Sequence, residues 1–138
     1  MTGVVRELAE AAHEHGKPIT AAVFPTPSIA RTLVRQDWDR WPLDRFFPML
    51  YQSFYREDIP WIGDGVREGV AALAATDGDV RGGTATPLNA GLYLPALDPP
   101  ALAEAVVTAR EAGAAGVSTF EMDGLTDDHL AAIRDATA

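Results

Sequence analysis

The chain has 138 residues, 47% of them apolar, which suits one domain built around one core. It contains no cysteine, so disulfides and thiolate metal sites are excluded. A formal net charge of −9 without a basic stripe argues against nucleic acid and anionic membrane surfaces as partners. No apolar run approaches the roughly 20 residues that span a bilayer.

The opening stretch Met1-Thr2-Gly3-Val4-Val5-Arg6-Glu7 has no basic n-region and no long apolar segment. It does not read as a signal peptide, and the chain as written is expected to be cytoplasmic, whereas a longer parent could be exported. Val4–His15 predicts an amphipathic helix with Val5, Leu8 and Ala12 on one face and Gly16 as its stop. Ile19–Phe24 is near-continuously apolar, as in a strand buried on both faces. Thr26 caps the next helix with Pro27 at its first position, and the helix is expected to run to about Trp38.

Phe46–Tyr51 is the second strand, where Pro48 removes a ladder donor and predicts a bulge or a sheet edge. The loop Gln52–Asp58 follows, and Asp58 can cap a helix carrying Ile62, Val66, Val70 and Leu73. Thr76–Thr86, rich in glycine and aspartate, reads as a surface loop. Leu88–Leu94 is the third strand. Asp98-Pro99 repeats the cap-plus-proline entry, with Leu97 and Leu102 as a hydrophobic staple, and the helix ends at Gly113. Gly116–Phe120 is the fourth strand, and Thr126 caps the last helix, with Leu125 and Leu130 as a second staple.

Strand and helix thus alternate four times, the pattern of parallel strands joined by right-handed helical crossovers. Two closures fit: an open doubly wound sheet, or half of an eight-stranded barrel whose usual length is about 250 residues. A helix with no strand before it favours the barrel. The expected fold is therefore α/β, a parallel (βα)4 half of a TIM barrel preceded by one helix, with residues 1–138 forming a single domain.

In such folds chemistry sits where strands end. Tyr51, Gln52, Phe54 and Tyr55 follow the second strand, Tyr93 closes the third, and Glu121 and Asp123 follow the fourth. Rings mixed with neutral hydrogen-bonding groups suit a saccharide, although such rings also cover cores. Glu121 is the candidate catalytic carboxylate. Tyr51, Gln52, Phe54, Tyr55, Tyr93 and Asp123 are candidate substrate contacts, although Asp123 also suits a plain turn with Gly124. His13, His15 and His129 have no partner at metal-ligand spacing and read as surface histidines. Gly82-Gly83 lacks the lysine and the strand–helix context of a phosphate loop, and no Gly-x-Ser-x-Gly elbow occurs. No metal and no cofactor is expected.

Several segments carry a resemblance. Ala21–Arg31 with Val34–Trp38, Phe47–Tyr55 with Asp58–Ile62, Ala90–Pro95 and Gly116–Phe120 resemble stretches of bacterial glycosyl-hydrolase-like TIM-barrel proteins, the family 10-like group. The resemblance implies the C-terminal half of such a barrel, about strands five to eight. It implies part of a glycoside hydrolase of carbohydrate metabolism acting on an oligo- or polysaccharide, incomplete on its own. Its partners would be carbohydrate and either a missing N-terminal half-barrel or a second copy. The alternative is a non-catalytic carbohydrate-binding or half-barrel assembly module.

Overall fold

The computed structural model describes residues 1–80 and 85–138, the side chains of 77–80 excepted. Among the described residues nine main elements run in chain order: α1 (Thr2–Glu14), β1 (Thr20–Val23), α2 (Pro27–Val34), β2 (Arg45–Pro48), α3 (Ile59–Val80), β3 (Asn89–Tyr93), α4 (Pro99–Glu111), β4 (Gly116–Phe120) and α5 (Asp127–Thr137). Single 3-10 turns lie at Trp38–Arg40, Gln52–Tyr55 and Leu94–Ala96.

All four strands are parallel and stand in the order in which the chain makes them. β1 pairs with β2 from Thr20↔Arg45 to Val23↔Pro48, and β3 pairs with β4 from Asn89↔Gly116 to Tyr93↔Phe120. Two bridges, Phe46↔Leu88 and Met49↔Gly91, join β2 to β3. A doubly wound sheet reverses its strand order at a switch point. No reversal occurs among the described strands, so the sheet is an arc of a barrel, as the strand–helix rhythm predicts.

Pro48 forms no bulge, but it stands where the β2–β3 pairing lapses, so that β1–β2 and β3–β4 are two two-stranded sheets joined by single bridges. β2 lies between two neighbours, and its offset to β3 is the same at both bridges. The ladder instead skips Phe47 and Pro48, because Pro48 has no N–H to donate. The backbones crowd at this gap: a Cβ added to Gly91 would stand 2.7 Å from the Pro48 carbonyl oxygen.

The core fills the space between the arc and its helices. Val23, Phe46, Leu88 and Leu92 are buried beneath Ile62, Val66 and Leu73 of α3 and Leu102 and Val106 of α4. Trp38 is fully buried and tilted against Phe46 at 5.2 Å between ring centroids. α3 can lie this close because Gly69 faces the contact; a Cβ there would come within 2.6 Å of Leu88 and 3.2 Å of Trp38.

The caps follow their sequence signals. Thr26 accepts from the Ile29 N–H and Asp98 from the Ala101 N–H. α3 begins directly after Asp58 as expected, and there the Trp61 N–H donates to the Asp58 backbone carbonyl rather than to its side chain. Six expectations need correction. β1 is not buried on both faces, since Thr20 and Ala22 are exposed. Leu8 of α1 is exposed and does not share a buried face with Val5 and Ala12. α2 stops at Val34, because Arg35 turns left-handed and Gln36 swings back to accept from the Phe24 N–H. α3 continues to Val80 through part of the expected loop, of which 81–84 lie outside the described residues. Leu130 stays exposed, so the second staple does not form a buried pair. His129 is buried, not a surface residue: its ring closes a capping box with Thr126.

Candidate functional site

The carboxyl ends of the strands bring four rings together. Tyr51 leaves β2, and the 3-10 turn after it lifts Phe54 beside it, 5.5 Å away and edge-on. Phe54 meets Tyr93 at 4.8 Å, and Tyr51 meets Tyr93 at 5.6 Å. Phe120 lies near-parallel to both tyrosines, at 5.9 and 6.4 Å. Edge-on and offset pairs of this kind are favourable beyond the area they bury. Even so, Phe54 is 63% and Phe120 54% exposed, so the cluster forms a wall facing outward.

The other expected residues do not all join this wall. Tyr55 turns the other way, stacks on Trp61 at 5.2 Å and borders a shallow groove with Ser28, Ile29, Thr32 and Leu33 of α2. Gln52 is buried, and its Oε1 has no hydrogen-bond partner. Asp123 is exposed in the turn after β4. Glu121, also exposed, borders an open pocket of about 610 Å³ with Leu94, Asp98, Gly124 and His129. Phe120 was not among the expected site residues; its register opposite Tyr93 is the signal that identifies it.

Burial raises the Tyr51 and Tyr55 phenols above their ordinary value of 10.0. A raised native value means that the fold favours the protonated phenol. That stability is fully present below pH 10.0 and is lost as pH rises through the raised native values. Alkaline titration in urea is therefore expected to lower the unfolding midpoint, and Tyr51→Phe to remove part of that loss. An unchanged alkaline profile in Tyr51→Phe would contradict the assignment.

His129 has no ring nitrogen left for chemistry. Its Nε2 lies 3.0 Å from the Leu97 carbonyl, and its Nδ1 accepts from the Thr126 N–H at 3.3 Å. Neither Glu121 nor Asp123 makes a side-chain hydrogen bond or ion pair among the described residues. No group of three or more His, Asp or Glu side chains there could hold a metal ion.

The rim also lacks an anion site. Loops 24–26, 49–58, 94–98 and 121–126 carry one basic residue, Arg56, against five carboxylates: Glu57, Asp58, Asp98, Glu121 and Asp123. A helix N-terminus holds phosphate through free N–H groups. α4 starts with Pro99 and Pro100, and Asp98 occupies the Ala101 N–H. α5 starts with Asp127 and Asp128.

The fold and this rim define a partial (βα) barrel. Among solved structures, the chain is similar to the apo form of a candidate deoxyribose-phosphate aldolase from Toxoplasma gondii ME49. The TM-score is 0.59 at 20% identity, over 99% of this chain and 56% of that chain. At this identity the likeness concerns the fold, and this chain spans little more than half of its neighbour's length. No family model matches the chain, and no curated protein matches it.

These findings overturn the glycosyl-hydrolase resemblance. The barrel that matches bears an aldolase's name, and no glycosidase family model recognises the chain. The hydrolase reading falls with the resemblance, as does the carbohydrate-binding alternative. No helix among the described residues is long and apolar enough to cross a membrane.

Proposed function

We propose that this chain is one half of a (βα)8 barrel, and that Tyr51, Phe54, Tyr93 and Phe120 form one wall of the barrel's ligand mouth. The observation that carries the reading is the joining of four rings from three strand ends at the rim where barrel enzymes bind their ligands. The opposite wall and the missing chemical groups come from the other half. The ligand that suits this wall is a small molecule with a flat apolar face and no phosphate, since the rim offers rings and carboxylates but no anion cradle.

Aldol chemistry through a lysine Schiff base is not supported by this half. Lys17 is the only lysine in the sequence, and it precedes β1 at the opposite rim.

The test is a fragment screen by saturation-transfer NMR on the chain and on Tyr93→Ala. Flat apolar fragments are expected to bind and to lose most of their signal in Tyr93→Ala, while inorganic phosphate gives none. Fragment binding that survives Tyr93→Ala, or a phosphate signal, refutes the reading.

A further inference from the structure

The arc has two open sides. At one, β1 has no outer neighbour among the described residues, and Val4 and Leu8 of α1, with Met1 at its cap, are exposed in an i, i+3, i+7 stripe. At the other, β4 has no outer neighbour among the described residues, and Phe120 at its end and Met122 just after it are exposed. Unpaired parallel edges with apolar flanks are association sites.

Resting on the half-barrel reading, we infer that these two edges are closed by a segment of four strands and three helices, in the order βαβαβαβ, and not by a second copy of this chain. A closed barrel has one crossover helix per strand, eight of each. The described residues already supply five helices to four strands. α1 is tied to the segment that leads into β2: Ala9 is buried, the Trp41 indole N–H donates to Thr2 Oγ1 at 3.3 Å, and His13 Nε2 meets Asp44 at 2.9 Å. α5 follows β4 and packs on α4.

A second copy would bring α5 of one chain and α1 of the other to the same seam, and would do so at both seams. Ten helices would then compete for eight positions. It would also join two bodies of net charge −9 each. A βαβαβαβ segment meets neither difficulty. Its last strand lies beside β1, with α1 as the crossover between them, and its first strand lies beside β4, with α5 in that position.

Two measurements test this. The first is the mass of the 138-residue chain by light scattering at micromolar concentration, expected to be that of a monomer. The second uses a tandem chain in which residues 18–122, a four-strand, three-helix segment of this same sequence, precede the full chain. The tandem is expected to be monomeric, to unfold cooperatively and to melt higher than the 138-residue chain. A stable dimer of the 138-residue chain overturns the inference but leaves the half-barrel reading intact, because a second copy then covers the edges. A monomeric chain together with a tandem that is insoluble, or that melts no higher, overturns both.

Discussion

Trp38→Ala is expected to destabilise the chain by about 3–5 kcal/mol, the cost of emptying a large aromatic site in a packed core. Trp38 is fully buried, touches Phe46 and lies against Gly69 of α3, so its loss opens the joint between sheet and helix. A domain's whole stability is about 5–15 kcal/mol. With two unclosed edges this chain belongs near the low end, and the variant should be largely unfolded at room temperature. Trp38→Phe separates volume from polarity. The Trp38 indole N–H has no hydrogen-bond partner, so the phenyl ring removes an unsatisfied donor while keeping most of the packing. Urea unfolding followed by circular dichroism should place Trp38→Phe much nearer the parent than Trp38→Ala. Equal losses in the two variants would refute this account of the site.

Arg31→Met is the second large effect. Arg31 Nη2 lies 2.7 Å from both Asp39 oxygens, and its Nε donates to Asp37 at 2.8 Å. Burial alone would lower the Arg31 pKa, but the two aspartates outweigh it and hold the guanidinium more basic than usual. Asp39 is only 6% exposed, whereas Arg31 is 41% exposed. Removing the arginine leaves a carboxylate buried without its counter-charge. Breaking a fully buried pair costs about 3–5 kcal/mol, and solvent screening on the Arg31 side brings the expected loss to about 2 kcal/mol. Adding Asp39→Leu to Arg31→Met should restore much of it, since an apolar pair of similar size replaces buried charge at little cost. A double variant no more stable than Arg31→Met would show that the pair acts through something other than charge.

The elements that the sequence exposes are those whose residue types are dictated by burial or by a missing N–H. β3 reads as an unbroken apolar run because it is covered on both faces, with Ala90, Gly91 and Leu92 all buried; β1 reads the same way, yet Thr20 and Ala22 are exposed and only Val23 is buried. Thr26-Pro27 and Asp98-Pro99 announce helix starts because a cap and a proline suit no other position so well. The end of α3 is hidden because Thr76, Asp77 and Gly78 have loop composition and yet lie within the helix. His129 is hidden for another reason: a capping box normally carries Glu or Gln at its third position, and here an imidazole takes that place. The candidate site is half legible. Position after a strand marks Tyr51, Phe54 and Tyr93, but neighbours in a 3-10 turn point about 120° apart. That rotation buries Gln52 and sends Tyr55 toward α2. The family resemblance misleads because barrel strands converge on similar apolar words whatever reaction the barrel performs.

The skipped rungs between β2 and β3 divide the arc into two leaves, each a strand pair with its own helices. Tyr51 and Phe54 hang from the first leaf, Tyr93 and Phe120 from the second. On the proposed half-barrel reading, a partner that closed the circle would press on both outer margins and set the angle at the crease, which would couple the spacing of the rings to closure.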